Sequence, residues 1–206
     1  MTGVPTPRVE AAVARSALVR EALETAADAH AGQVRNGSGG LPYIEHPKMV
    51  TERLAAAGYG DEALAAGLLH DVVEDSDLTV DDLHKRFGES VACMVAALSD
   101  DESIEDYVER KREHRQRIEA VDGDALAIYA ADKLTNASML ADALAREGAA
   151  VAEEFKVPLE LKLEIWEADA ELLGRLEPSL PFLADLDEAL SRLLDEIAAA
   201  TPRPGT

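Results

Sequence analysis

Residues 63–75, ALAAGLLHDVVED, constrain the chain more than any other stretch. Ala63, Leu64, Ala65, Ala66, Leu68, Leu69, Val72 and Val73 cover nearly every face of a helix, the pattern of a segment buried on all sides. The spacing predicts one central helix from about Asp61 to Asp75. Set into it are His70, Asp71, Glu74 and Asp75, groups that are costly to bury unless paired, hydrogen-bonded or bound to a metal. On a helix His70 lies above Glu74, and Asp71 above both Glu74 and Asp75, so the four are expected on one sector near the helix end. A divalent cation is their natural partner.

Around that segment the chain has 206 residues, 47% of them hydrophobic, enough for one substantial core and short for two. Alanine, leucine and glutamate dominate while aromatic residues are 4%, which favours helices over sheets and gives an all-α class. The expected layout is a flexible tail over residues 1–15, a main domain over 16–176, and a C-terminal helix and tail over 177–206 packed on that domain. Ser16 should open the first helix, and the closing TPRPGT should be disordered. Cys93, among Val91, Ala92, Met94 and Val95, reads as a packed core residue. A net charge of −21 excludes non-specific binding to nucleic acid or to an anionic membrane, both of which rely on dense Lys and Arg. Residues 1–10 lack the apolar core of a signal peptide, and no run approaches the ~18 apolar residues of a membrane span. A cytoplasmic protein is expected. The leucine-rich terminal helices could pack within the domain or between subunits, which leaves a homo-oligomer open.

Other polar residues stand out against apolar surroundings. His46 precedes Pro47, a residue preorganised for the first turn of a helix, so His46 should sit at a helix entrance. Asp132 falls among Ile128, Tyr129, Ala130 and Ala131, with Asn136 one turn on. The glycine-rich loop Asn36–Gly40 should leave backbone N–H groups free to approach an anion. From Glu109 to Arg117 five Lys or Arg face two Glu in an otherwise acidic chain, which would attract an anionic substrate. His46, His70, Asp71 and Asp132 form a mixed nitrogen and oxygen donor set suited to Mn²⁺, Fe²⁺, Ni²⁺ or Zn²⁺, and the lack of cysteine leans it to the harder end of that series. Such a cation acidifies water and polarises phosphorus, leaving Glu74 and Asp75 to orient the water and move its proton. These carboxylates would repel a phosphate on their own. Compensating cations are available in Arg35, Lys48, Lys111, Arg112 and Lys133.

The strings AHAGQVR, PYIEHP, LLHDVVEDSDLT, FGESV and ADKLTN, in that order, resemble the HD-superfamily domain of the alarmone (ppGpp) hydrolases over roughly residues 17 to 175. The resemblance implies an all-helical HD bundle with an extra C-terminal helix, holding one Mn²⁺ through His46, His70, Asp71 and Asp132. It implies that Glu74 and Asp75 act on the nucleophilic water, that Arg35 lies against the nucleobase, and that Asn136 is near sugar or phosphates. The implied reaction is hydrolysis of the 3′-pyrophosphate of (p)ppGpp to GDP or GTP and pyrophosphate. Larger relatives add a synthetase domain, and this chain looks like the stand-alone small hydrolases. It departs from the family at Asn36, where a second basic residue is usual, at Ala137-Ser138, where an apolar residue and Arg are usual, and over Glu160–Trp166, which offers no Tyr. These departures motivate two alternatives: an HD phosphohydrolase of another nucleotide, such as a 3′-phosphorylated one, NADPH or a different alarmone, and a non-catalytic nucleotide-binding module. Intact Glu74 and Asp75 speak against the second.

Overall fold

The computed structural model describes residues 4–121 and 123–200. The TPRPGT segment, for which disorder is expected, lies outside them. In chain order the helices are α1 (Pro7–Arg15), α2 (Ala17–Ala29), α3 (Glu45–Ala56), α4 (Asp61–Leu69), α5 (Val72–Asp75), α6 (Val80–Phe87), α7 (Glu89–Leu98), α8 (Tyr107–Ile118), α9 (Asp124–Glu147), α10 (Leu159–Leu176) and α11 (Leu183–Ala200). A 3-10 segment, Gly148–Glu154, joins α9 to α10. No strand occurs among the described residues beyond a single bridge between Val34 and Pro42. The all-α class expected from composition is the architecture observed. No described helix is long and apolar enough to cross a membrane.

Residues Ala63 to Leu69 of α4 are all buried, and α4 packs against α2, α3, α7 and α9. An all-round apolar surface is stable only with neighbours on every side, so this pattern puts α4 at the centre of the bundle. It meets α3 tightly at Gly67, where an added Cβ would lie 2.7 Å from Leu54 Cδ1 and 3.0 Å from Thr51 Oγ1. Leu54 and Thr51 are themselves fully buried and have nowhere to retreat. We expect Gly67→Ala to destabilise the fold by about 1–3 kcal/mol through overpacking, read from urea unfolding midpoints.

The helical ladder does not run unbroken from Asp61 to Asp75. It stops at Leu69 and resumes at Val72, with His70 and Asp71 in a turn between α4 and α5. Glu74 N–H donates to Asp71 O at 3.2 Å, the tighter i,i+3 pattern. Two further expectations are corrected. The expected tail over 1–15 is not a loose segment among its described residues: Pro7–Arg15 form α1, which buries Val9 and Ala12 against α2 and α3. Its N-terminal N–H groups on Arg8 and Val9 donate to the Glu52 carboxylate at 2.9 and 3.0 Å. A cap supplied from α3 is invisible to local sequence reading. Cys93 is exposed, because the buried face of α7 is set by Val91, Val95 and Leu98 and position 93 falls on the opposite side.

At the C-terminal end α11 lies along α9 and α10, burying Leu186, Leu190, Leu193 and Ile197. Ser16 caps α2 by accepting from Val19 N–H.

Candidate active site

The loop between α2 and α3 is closed by the Val34–Pro42 bridge, with Arg35 N–H donating to Leu41 O and Tyr43 N–H to Gln33 O. This pinning stacks three side chains. Tyr43 lies on the His30 ring at 4.4 Å, and the Arg35 guanidinium sits 4.8 Å from the Tyr43 ring centroid. His30 Nδ1 donates to Gln33 Oε1, whose amide donates in turn to Asp75 O at 2.8 Å. The AHAGQVR string is thus a support that aims Arg35 inward. The glycine loop behaves differently from expectation: Gly37 N–H already donates to the Glu154 carboxylate at 2.7 Å, and Leu41 N–H to Ser38 Oγ.

Arg35 reaches a cluster made by α3, the α4–α5 turn and α9. His46 Nε2 and His70 Nε2 face each other at 3.2 Å. Asp132 Oδ1 is 3.0 Å from the first nitrogen and 3.6 Å from the second. Asp71 completes the set, with Oδ1 3.2 Å from His70 Nε2 and Oδ2 3.6 Å from His46 Nε2. His70 Nδ1 must donate to Gly67 O at 2.8 Å, because a carbonyl only accepts, so in neutral His70 the Nε2 lone pair points into the cluster. Two such nitrogens amid two carboxylates need a positive charge between them. The donor atoms of His46, His70 and Asp132 lie within 4.8 Å of one another, close enough to share one ion. The arrangement fits a divalent cation.

Electrostatics without that cation lead to the same conclusion. Burial and then Arg35 lower His46 to about 4. Burial would lower His70 as well, but Asp71 and Asp132 outweigh it and hold it at about 9. One proton on His70 thereby occupies the charge position a metal would take. Asp132 stays ionised well below the usual carboxylate range despite burial, because Lys133 and both histidines oppose the penalty. Lys133 Nζ donates to Asp132 Oδ2 and Asn136 Nδ2 to Asp132 Oδ1, both at 2.8 Å. Arg35 links the two sides, donating to Asp71 Oδ2 at 3.3 Å and to Asn136 Oδ1 at 2.6 Å.

The cluster opens into a cavity of about 190 Å³ that Glu74 also lines. Asp100 N–H donates to Glu74 Oε1 at 2.9 Å, which fixes one carboxylate oxygen. Burial, then Asp71 and Asp100, raise Glu74 to about 7, partly offset by that N–H. Lys111 donates to Asp100 at 2.6 Å, and buried His114 places Nδ1 3.0 Å from the same carboxylate, off the hydrogen-bonding direction. A set of metal donors at the base of a cavity, a carboxylate poised near neutrality, and cations held in place by carboxylates are what hydrolysis of a phosphorylated substrate requires. A profile of the HD domain matches residues 22–157.

The chain belongs to the HD-domain family.

Among relatives of this HD-domain chain, the guanosine-3′,5′-bis(diphosphate) 3′-pyrophosphohydrolase MESH1 of Danio rerio is 36% identical over 123 residues, which cover 59% of this chain and 68% of that protein. The guanosine-3′,5′-bis(diphosphate) 3′-pyrophosphohydrolase of Aquifex aeolicus is 32% identical over 159 residues, covering 75% of this chain. This chain spans only 23% of that longer protein's length. A solved structure of a metazoan ortholog of SpoT, described as hydrolysing ppGpp and playing a role in starvation responses, superposes with a TM-score of 0.71 at 30% identity, covering 86% of this chain and 96% of that one.

Of the residues singled out in the HD-domain sequence, His46, His70, Asp71, Asp132, Glu74, Arg35, Asn136 and Lys111 come together. Asp75 does not line the cavity; it is exposed, beside the Tyr43 hydroxyl. Lys48 pairs with Glu45 at 3.0 Å away from the cavity, and Arg112 points to solvent, paired with Glu109. Neither expected substrate contact is in place, because α8 turns only one face inward and Lys48 stays on the outer side of α3. The structure adds Tyr43, Asp100, His114, Lys162 and Trp166 to the cavity wall. Tyr43 was within reach of sequence, since it opens the PYIEHP string. The others come from α8, α10 and the loop ahead of α8, where no local pattern marks them.

Proposed function

We propose that this chain hydrolyses the 3′-pyrophosphate of (p)ppGpp to GDP or GTP and pyrophosphate, with one divalent cation, Mn²⁺, in a cytoplasmic setting. The observation that carries the proposal is Glu74: a half-buried carboxylate raised to about 7, in the same cavity as the metal donors His70, Asp71 and Asp132 and four cations. His46, His70, Asp71 and Asp132 would hold the cation, which supplies Lewis acidity and makes water a usable nucleophile near neutral pH. Glu74 takes the proton of that water, since it lines the cavity while Asp100 N–H holds only one of its two oxygens. Asp75, exposed next to Tyr43, is assigned to passing the proton to solvent. The oxygen of that water bonds to phosphorus as the bond from phosphorus to the 3′ ribose oxygen breaks. Charge develops on the 3′ oxygen and on the phosphate oxygens, and the 3′ oxygen takes up a proton from solvent to become the hydroxyl of the product. Lys111 and Lys133 oppose that charge. Each is already fixed by a carboxylate, so little reorganisation is needed as the reaction proceeds. Arg35 and Asn136, bonded to each other, form the side of the cavity against which base and sugar would rest. A second reading, hydrolysis of a different phosphorylated nucleotide, is favoured by one observation: Asn36 spends its amide on Glu154 O at 2.9 Å and offers the cavity no charge.

Pyrophosphate release from ppGpp with and without Mn²⁺ tests the proposal. Metal-dependent release is expected. Metal-loaded, folded protein that leaves ppGpp intact but turns over another nucleotide in a panel would transfer the assignment to that nucleotide. The two neighbouring cations of α8 should separate in the same assay. Lys111→Ala should lower kcat/KM by roughly 10–100-fold, the worth of a charged hydrogen bond. Solvent-facing Arg112→Ala should change it by less than about two-fold, as expected of an exposed pair.

A further inference from the structure

Three of the cations around the cavity are compensated: Arg35 by Asp71, Lys111 by Asp100 and Lys133 by Asp132. Lys162 is not. Its ammonium makes no ion pair and no side-chain hydrogen bond; it is enclosed by aromatic faces, 4.7 Å from the Phe155 ring centroid, 5.5 Å from Tyr107 and 5.6 Å from Trp166. Such faces attract a cation but leave its three N–H donors without acceptors. Burial, then Lys111, Arg35 and Lys133, lower its pKa to about 8, so the ammonium is held against both desolvation and like charge. An anion beside it would relieve both.

The position of Lys162 indicates which anion. It lines the 190 Å³ cavity above the metal donors and also a second cavity of about 300 Å³ walled by Met139, Leu140, Phe155 and Trp166. The first holds the group being cleaved, and the second, with Met139, Leu140, Phe155 and Trp166 on one part of its wall and Arg35 and Asn136 on another, suits a flat ring with polar edges. A nucleotide occupying both would carry its sugar, and the phosphate that is not cleaved, along their common wall. Asn36, on the opposite side of the second cavity, adds no charge there.

We propose that Lys162 recognises the non-scissile phosphate of the substrate, the 5′-phosphate of a nucleotide whose 3′ group lies at the metal donors, and so selects nucleotides phosphorylated on both sides of the ribose. This rests on the reading of the site as a nucleotide pyrophosphohydrolase, but it can be tested without any turnover. GDP carries the 5′-phosphates alone, and guanosine carries none.

Trp166 is the single tryptophan of the chain, and its emission reports occupancy next to Lys162. GDP and guanosine are titrated into the full chain, and into Lys162→Gln and Lys162→Arg, following that emission. The expected result is that wild type binds GDP at least ~10-fold tighter than guanosine, the scale of a charge-assisted hydrogen bond. Lys162→Gln should erase that preference and Lys162→Arg should keep it within about three-fold, because guanidinium retains the charge and stacks on the rings. Equal binding of GDP and guanosine by wild type would overturn the proposal. So would a GDP preference that survives in Lys162→Gln. Loss of the preference in Lys162→Arg as well as in Lys162→Gln would point to packing against the rings instead of charge, and would also overturn it. If the GDP preference depends on Lys162 but wild type leaves ppGpp intact, the phosphate subsite stands and the reaction assignment alone falls.

Discussion

His70→Ala protein is expected to purify without its divalent ion and to release pyrophosphate from ppGpp at least roughly 10³-fold more slowly than wild type, since a metal's stabilisation of transition-state charge is worth several kcal/mol. The expectation follows from how this imidazole is held. Gly67 O accepts a hydrogen bond from Nδ1–H, the residue is 4% exposed, and Nε2 is thereby aimed at His46, Asp71 and Asp132. No neighbour can replace it, because the other donors are fixed by their own contacts. Asp132 is tied by Lys133 and Asn136, and Asp71 by Arg35 and by the Tyr43 hydroxyl at 2.9 Å. Elemental analysis of the purified variant, beside the release assay, is the decisive pair of measurements. A variant that keeps one metal per chain would show that the ligand set is drawn wrongly, whatever its activity.

The second large effect concerns Glu74. Glu74→Gln should cost about 10²–10⁴ in kcat, the range for loss of a positioned general base. In metal-loaded wild type the rate should climb with pH as Glu74 loses its proton, below the about 7 of the metal-free site because a neighbouring cation favours the carboxylate, and the residual rate of the variant should lack that limb. Stability should move the opposite way. The carboxyl of Glu74 titrates from 4.5 in an ordinary environment to about 7 in the folded chain. Between those values the folded state binds a proton that the unfolded state has released, so stability falls as pH rises through the window, and the full penalty is present above it. Gln carries no charge and escapes the penalty. At pH 8 the metal-free variant should therefore be more stable than metal-free wild type, by on the order of 1–3 kcal/mol, and the two should converge near pH 4.5. Thermal melts at both pH values check this. A variant that is inactive and also less stable at pH 8 would show that Glu74 is structural. One that is more stable and fully active would remove it from the reaction.

The residues of the candidate site were legible where the sequence departs from its own local pattern. His70, Asp71 and Glu74 interrupt an apolar helix, and Asp132 sits among Ile128, Tyr129, Ala130 and Ala131. A buried charge has few solutions, so such interruptions are informative even in a single sequence. The same reasoning misjudged Lys48 and Arg112. Each lies in a charged context, where sequence carries no record of which side of a helix faces the cavity. Asn36–Gly40 was misjudged for another reason: its free N–H groups find an acceptor in Glu154, more than a hundred positions along the chain.

By itself, then, the sequence determined the class and the polar side chains that gather in the cluster. Few aromatics and a fully apolar α4 demand a helical bundle around that segment, and two imidazoles and two carboxylates placed in such a bundle demand a cation. The tertiary structure decided everything that depends on the relative rotation of separate helices. It broke the central helix at His70–Asp71 so that both side chains turn into the cluster, ordered Pro7–Arg15 through a carboxylate borrowed from α3, and put Cys93 outside. It also delivered Lys162 and Trp166 from α10 to a cavity whose base is built from the α4–α5 turn, α5 and α9. Local pattern fixes the identity and periodicity of a helix. Which of its faces meets which neighbour is set by packing between segments far apart in the chain, and that information is carried by no single stretch of it.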